Sequence, residues 1–227
     1  MNVTLDHVED IAAGVKTYWF KPERPVRYAA GEYLEVFLPH PNADNRGERR
    51  WFSLTSSPSE PLLGVTVKFE EGGGSSFKQT LLSIQPGTQL VMTDPMGDFV
   101  LPKDRAIPLV FIAAGIGITP VRGMVQWLTD TGEKRNLQLV YITPTVADMF
   151  FLPLFEKYEG LQLSPIHTQN KRPDVIDIIR IIGDPAHKLV YLSGPQFFIE
   201  GLWSDLQEHH IDRGQLILDY FPGYSQL

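Results

Sequence analysis

The chain changes its pattern of apolar and turn-forming residues near residue 103, and this change limits the possible folds more than any other feature. Before that point, short strand-like runs are separated by Gly, Pro, Asn and Asp, and one helix is predicted at residues 77–84. This pattern is typical of a small antiparallel barrel or sandwich. The predicted strands are residues 15–20, 31–38, 50–54, 62–69 and 89–93.

After residue 103, apolar strands alternate with amphipathic helices. In the first predicted helix, Val121, Met124, Val125 and Leu128 recur at helical spacing. A repeated strand–helix–strand order predicts a parallel, doubly wound sheet, with the domain boundary at residues 102–105. The predicted helices are residues 120–131, 151–158, 174–182 and 196–209, and the predicted strands are residues 109–113, 137–142, 161–168, 189–192 and 216–219.

The 227 residues include no cysteine, which excludes disulfides, cysteine-ligated zinc and an iron–sulfur cluster held by this chain. The net charge is −7 and neither half of the chain is basic, which argues against nucleic-acid binding. The longest apolar run, residues 107–114, is too short to span a bilayer, and the acidic start lacks an apolar signal core. We therefore expect a cytoplasmic protein without a membrane span. The six histidines are scattered, and we predict no metal site.

Three segments combine small residues with the start of a predicted helix, an arrangement that binds phosphate through backbone N–H groups and the helix dipole. Ser75 or Ser76 is expected to cap the first helix, and Thr119 the second, with Pro120 at its first position. The alternatives are a flexible hairpin loop and a tight turn without a ligand. Two such junctions at the carboxyl ends of parallel strands favour a shared nucleotide site. The segments are residues 72–77, 113–120 and 193–195.

Five segments, in the expected order, resemble motifs of the ferredoxin–NADP(H) reductase superfamily and together extend over nearly the whole chain. The resemblance implies a two-domain protein. Residues 1–103 would form an antiparallel Greek-key β-barrel that binds flavin, and residues 104–227 an α/β domain with a doubly wound parallel sheet that binds NAD(P)H and ends in an aromatic tail. The segments are Arg50 to Ser53 (flavin signature R-x-Y-S), Gly73 to Ser76 (flavin phosphate loop), Gly115 to Pro120 (nicotinamide loop), Ser193 to Pro195 (C-G-P motif) and residues 219–224 (terminal aromatic stretch).

The resemblance also implies roles for individual residues. Arg50 would pair with a flavin phosphate, Phe52 would pack on the isoalloxazine ring, and Ser53 would form a hydrogen bond near flavin N5. Tyr224 would cover the other face of the ring. The implied catalytic residues are Ser53, Ser193 and Tyr224. The implied cofactor-binding residues are Arg50, Trp51, Phe52, Ser53, Leu54, Val67, Lys68, Gly73, Gly74, Ser75, Ser76, Phe77, Gly115, Gly117, Ile118, Thr119, Pro120, Ser193, Gly194, Pro195 and Tyr224.

Two residues depart from the family motifs. Phe52 replaces the tyrosine of the flavin signature, and Ser193 replaces the cysteine beside the nicotinamide. The glycine-serine loop suits a pyrophosphate and therefore favours FAD over FMN. For Arg50, the alternative to a phosphate ligand is a solvated charge run with Arg46 and Arg49.

The choice between NADH and NADPH depends on the segment after the second strand of the parallel sheet. Residues 143–145 include no arginine for a 2′-phosphate, and Asp148 follows, which favours NADH. Lys171 and Arg172 could still reach such a phosphate.

The implied function is hydride transfer from NADH or NADPH to bound FAD, followed by electron transfer to an acceptor such as ferredoxin or an oxygenase. A redox protein is therefore the expected partner. The alternatives are an NAD(P)H:free flavin reductase, an electron-transfer subunit of a larger complex, and a ligand-binding module without turnover.

Overall fold

The computed structural model describes residues 1–70, 72, 74–169 and 173–219, and the first half of the chain forms an antiparallel sheet. Its order is β4-β3-β6-β1-β2-β5. Just after β4, the backbone N–H of Thr55 donates to the Gly64 carbonyl of β5 at 2.8 Å, so the two edges approach each other. The predicted antiparallel Greek-key barrel is confirmed. The strands are β1 (Asn2–Ala12), β2 (Val15–Pro22), β3 (Tyr33–Phe37), β4 (Arg49–Ser53), β5 (Leu63–Lys68) and β6 (Gln89–Met92).

Strand β1 is absent from the sequence-based prediction, although it is the longest strand of the sheet. Only Val3 and Leu5 follow a clear buried alternation. Irregularities in the pairing with β2 lie between Leu5 and His7 and between Asp10 and Ala12. Each irregularity shifts the alternation by one residue, so no single period of two extends along the strand.

Helix α1 (Ser76–Ser83) follows the glycine-rich loop and packs on the barrel through the buried side chains of Phe77 and Leu81. The predicted cap is Ser75, whose Oγ accepts a hydrogen bond from the Lys78 N–H at 3.3 Å. This bond satisfies one of the free donors at the start of the helix.

The second half of the chain forms a parallel sheet of order β11-β10-β7-β8-β9, which confirms the predicted doubly wound α/β domain. Among the described residues, no helix has the length and apolar character needed to cross a membrane. The strands are β7 (Leu109–Ala114), β8 (Leu137–Thr143), β9 (Leu161–His167), β10 (Leu189–Ser193) and β11 (Leu216–Leu218). The helices are α2 (Thr119–Thr131), α3 (Leu152–Lys157), α4 (Val175–Ile182) and α5 (Gln196–Glu208).

The predicted cap of α2 is wrong. Residues Gly115–Ile118 already form a 3₁₀ turn that runs directly into the helix, so the residue at the cap position is Ile118, which has helical backbone angles. Thr119 is the first helical residue, and its side chain is not the cap. Because the chain turns helical immediately after β7, the loop is too tight for a separate capping residue.

The two sheets are joined through α2. The Arg122 guanidinium lies against the carboxylate of Glu60 and also donates to the Thr55 carbonyl at 3.2 Å. A methyl group added at Gly123 would lie 2.8 Å from the Ser56 carbonyl oxygen, so the helix contacts the segment after β4 backbone to backbone. These contacts fix the helix that follows the nicotinamide-type loop against the segment that follows the flavin-type signature.

Candidate functional site

A cavity of about 810 Å³ lies between the two sheets, and both contribute to its walls. The barrel provides the ends of β4 and β5, and the parallel sheet provides the carboxyl ends of β7, β8 and β10. Ligands of open α/β sheets bind at this end of the strands. The lining residues are Trp51, Phe52, Ser53, Thr66, Val67, Lys68, Glu70, Lys78, Ala114, Gly115, Ile116, Gly117, Thr119, Ile142, Thr143, Pro144, Thr168, Pro173, Ser193, Gly194, Pro195, Phe197, Phe198 and Asp219.

A smaller cavity of about 300 Å³ adjoins the first on the barrel side. Both cavities are lined by Trp51, Phe52, Glu70 and Lys78, so the aromatic wall and one lysine lie where they meet. The smaller cavity is also lined by Arg46, Arg50, Gly74 and Ser75. It therefore combines cationic side chains with the residues that begin α1.

The carboxylate of Asp219 joins the two domains at the centre of the large cavity. Its Oδ2 accepts hydrogen bonds from the hydroxyl groups of Ser53 at 2.9 Å and Ser193 at 2.7 Å. Within the described part of the chain, no group donates a hydrogen bond to Oδ1, which is inaccessible to solvent. Asp219 as a whole is partly accessible, but burial of its carboxyl group raises the pKa to about 6, against the two serine hydrogen bonds that lower it.

Two glycines allow the nicotinamide-type loop and the Ser-Gly-Pro loop to touch. A methyl group added at Gly117 would lie 2.5 Å from the Gly194 nitrogen and from the Ser193 carbonyl. Gly194 has φ +155, and a methyl group there would lie 2.9 Å from Ala114 Cβ. Because only glycine leaves this space open, the ends of β7 and β10 can form one continuous backbone wall.

The Arg50 side chain is buried and already forms several hydrogen bonds. Its Nη2 donates to both oxygens of Asp44, at 2.8 and 3.0 Å, and its Nη1 donates to the carbonyls of Arg46, Gly47 and Arg49 at 2.7–3.0 Å. The interpretation of Arg50 as part of a solvated charge run is therefore wrong. Its guanidinium holds the turn before β4 and also lines the smaller cavity.

Two lysines connect the cavities with the opposite domain. Lys68 Nζ lies 3.6 Å from Asp148 Oδ1, across the gap between the sheets. Lys78 Nζ donates to the Lys68 carbonyl at 2.8 Å. Burial lowers the pKa of Lys78, the nearby Arg46 lowers it further, and Glu70 opposes both.

The structure brings most of the sequence-predicted site residues to these cavities. The large cavity is lined by Trp51, Phe52, Ser53, Val67, Lys68, Gly115, Gly117, Thr119, Ser193, Gly194 and Pro195, and the smaller one by Arg50, Trp51, Phe52, Gly74 and Ser75.

Five predicted site residues line neither cavity. Leu54 and Phe77 lie in the barrel core, and Ile118 is buried in the core of the second domain. Pro120 is buried in α2. The Ser76 hydroxyl bonds to His40 Nε2 and to the Asp44 N–H. These residues are neighbours of cavity residues in sequence, and their side chains serve the packing behind the wall.

Several predicted residues lie outside the described part of the chain. They are Gly73 of the phosphate-type loop, Lys171 and Arg172 of the possible 2′-phosphate site, and Tyr224 of the aromatic tail.

Asp219 and Lys78 are the cavity residues that the motif search did not include among the site residues. For Asp219 the signal in the sequence is an acidic residue directly after the apolar run of β11. For Lys78 no motif exists, because its contact is with the backbone of a different strand. Among the described residues, no cluster of three or more His, Asp or Glu side chains is arranged to hold a metal ion.

Comparison with known proteins places this geometry in context. No protein-family model matches the chain. The chain is 33% identical over 179 residues to an NADPH oxidoreductase of Mycobacterium tuberculosis, an alignment that covers 74% of the chain. The chain spans less than half of that relative, 46% of its length.

Solved structures share the fold over almost the entire chain. The FAD/NAD-binding domain of nitric oxide dioxygenase from Vibrio cholerae has a TM-score of 0.80 and 19% identity, covering 97% of this chain and 98% of that domain. The ferredoxin–NADP⁺ reductase of Plasmodium falciparum has a TM-score of 0.79 and 14% identity, covering 97% and 95%. With its barrel, its parallel sheet and the cleft between them, the chain belongs to the ferredoxin–NADP(H) reductase superfamily.

Proposed function

We propose that this chain is an oxidoreductase that binds FAD along the two adjoining cavities and transfers hydride to it from NAD(P)H. The observation that carries the proposal is the convergence of Ser53, from the barrel, and Ser193, from the parallel sheet, on the carboxylate of Asp219. Hydride transfer requires two ring systems in contact, with reacting atoms about 3–3.5 Å apart. The same clasp supports a division into a flavin domain, residues 1–103, and a nicotinamide domain, residues 104–227.

The residues present fit a flavin dinucleotide. Trp51 and Phe52 offer an aromatic wall where the two cavities meet, and Asp219 Oδ1 is a buried acceptor to which no described group donates. In the smaller cavity, Arg46 and Lys78 provide positive charge beside the start of α1, where backbone N–H groups favour a phosphate. When bound, FAD supplies the ring that accepts a hydride and then releases electrons to an acceptor.

The protein's own groups position the rings and control one proton. The two hydroxyl groups on Asp219 Oδ2 fix the ends of β4 and β10 relative to each other. Because the pKa of Asp219 is raised to about 6, its carboxyl group holds a proton below that pH and is ionised above it. We propose that Ser53 and Ser193 are the catalytic hydroxyls and that Tyr224, outside the described residues, covers the flavin.

We propose NADH as the preferred donor. Thr143, Pro144 and Thr168 line the far end of the large cavity, and Thr145 uses Asp148 as a local partner, with its Oγ1 donating to Asp148 Oδ2 at 2.8 Å. Neutral side chains and a carboxylate disfavour an added 2′-phosphate. The electron acceptor is proposed to be a separate redox protein, since this chain includes no cysteine for an iron–sulfur cluster.

A second candidate is an NAD(P)H:free flavin reductase. Two observations favour it: Phe52 has no hydroxyl to donate to a flavin, and both terminal nitrogens of Arg50 already have protein partners. A flavin that exchanges freely would then be a substrate rather than a resident cofactor.

The absorbance of the purified protein after gel filtration with added FAD separates the two candidates. Retained flavin that NADH reduces supports the resident-cofactor proposal. A colourless protein that still catalyses NADH-dependent reduction of added flavin supports the second candidate, and neither retention nor turnover would refute both. The variant Ser53→Ala should slow flavin reduction by up to about tenfold for a lost hydrogen bond, whereas Ser83→Ala, at the exposed end of α1, should not.

A further inference from the structure

The first turn of α5 carries two consecutive phenylalanines with opposite environments. Phe198 is 8% exposed and packs in the apolar cluster beneath α4 and α5. Phe197 is 75% exposed, more than any other large apolar side chain among the described residues. Because consecutive residues on a helix point in different directions, Phe198 anchors the helix and Phe197 contributes little to the core.

Phe197 is exposed to the large cavity, not to a featureless surface. It lines that cavity together with Pro195, on its own loop, and Pro173, which precedes α4. Helices α4 and α5 share one apolar cluster on the same side of the sheet. An aromatic side chain and two proline rings therefore form an apolar rim on one side of the cleft.

The position of this rim suits one half of a dinucleotide. The cavity extends from Ser193, at the end of β10, to Thr168, just after β9. These strands are three positions apart in the sheet, which corresponds to about 14 Å at the usual strand spacing. A nicotinamide at the Ser193 end leaves the adenosine half to extend along the carboxyl edge, past the rim formed by α4 and α5.

We propose that Phe197 is the stacking platform for the adenine base of the nicotinamide dinucleotide. The inference rests on the proposed function, because it assumes that the dinucleotide occupies this cleft. Stacking on an aromatic face needs no hydrogen-bond partners and tolerates solvent on the other face, which matches an aromatic residue that is exposed at a cavity wall. Phe197 thus determines affinity for donors that carry adenine and leaves the reacting ring untouched.

Two donors separate adenine binding from every other role of the side chain. NADH carries adenosine, and reduced nicotinamide mononucleotide carries the same reactive ring without it. We would measure anaerobic flavin reduction by both donors in the wild type, Phe197→Ala, Phe197→Trp and the control Val91→Ala, a substitution of an exposed residue on β6 that lines neither cavity.

Phe197→Ala should raise the dissociation constant for NADH by about 5- to 150-fold, the range for loss of one stacked base. Its limiting rate should remain that of the control variant, and the dissociation constant for the mononucleotide should not change. Phe197→Trp should restore NADH binding. Equal weakening of both donors, or of neither, would overturn the proposal, the latter outcome leaving Phe197 for contact with a protein partner.

Calorimetry with ADP-ribose keeps the inference testable even if no hydride transfer occurs. ADP-ribose carries the adenosine half without nicotinamide, so its binding does not depend on flavin chemistry. Weaker binding to Phe197→Ala than to the wild type supports the platform, even in a protein that reduces no flavin. Equal binding to both proteins, or no binding to the wild type, would overturn it.

Discussion

The carboxylate of Asp219 provides a quantitative test of the interdomain clasp through the substitution Asp219→Asn. The asparagine has the same shape and can still accept hydrogen bonds from Ser53 and Ser193, but it has no charge. In the wild type, burial raises the pKa of Asp219 from 3.8 to about 6. At 1.36 kcal/mol per pH unit, this rise corresponds to about 3 kcal/mol of unfolding free energy.

The sign follows from the proton binding of the two states. The folded protein binds the Asp219 proton more tightly than the unfolded chain does, so the group lowers stability as the pH rises from about 4 to about 6. Below this window the carboxyl group is protonated in both states and contributes no difference. Above it the full destabilisation of about 3 kcal/mol is present. Asp219→Asn lacks this pH dependence.

Urea unfolding at several pH values between 4 and 7.5, followed by tryptophan fluorescence, measures the effect. The difference in unfolding free energy between Asp219→Asn and the wild type should grow by about 3 kcal/mol toward pH 7.5. The control Asp94→Asn removes an exposed carboxylate that pairs with Arg24, and its difference from the wild type should vary little over the same range. Parallel curves for Asp219→Asn and the wild type would refute the buried clasp.

Three further substitutions test the surrounding structure. Glu60→Gln leaves the guanidinium of Arg122 buried without its carboxylate partner and should lower the unfolding free energy by about 3–5 kcal/mol; a loss below about 1 kcal/mol in urea unfolding would indicate a surface-type pair. Gly117→Ala places a methyl group 2.5 Å from backbone atoms of the facing loop and should weaken NADH binding in calorimetry. Gly132→Ala, also at positive φ but with open space, should leave NADH binding unchanged. Phe52→Tyr restores the hydroxyl of the flavin signature and should tighten FAD binding by up to about tenfold in fluorescence titration; unchanged affinity would mean that the hydroxyl has no partner here.

The sequence predicts the two-domain fold well because the local patterns and the final packing agree. The continuous apolar run of β7 is buried on both faces of the parallel sheet, and the helical spacing of apolar residues in α2 matches its buried face. The pattern fails at β1, where irregular pairing interrupts the alternation. It also fails at the start of α2, where the 3₁₀ turn leaves no room for the predicted cap at Thr119.

The candidate site is predicted only in part, because motifs identify segments and not side-chain directions. Leu54, next to the cavity residue Ser53, points into the barrel core because successive strand residues face opposite sides. The role of Asp219 depends on a partner 166 positions away in the sequence, and the Arg50–Asp44 pair depends on the shape of the turn between them. Such contacts exist only once the chain has folded.

The most direct test of the proposed function is an anaerobic titration of the FAD-loaded protein with NADH, followed by the same titration with NADPH. The absorption band of oxidised flavin should disappear with about one equivalent of NADH per flavin, since one hydride carries two electrons. NADPH should require a higher concentration to reach the same end point. A protein that binds no flavin, or a bound flavin whose band persists with both donors, would contradict the proposal that this cleft brings a nicotinamide and a flavin together.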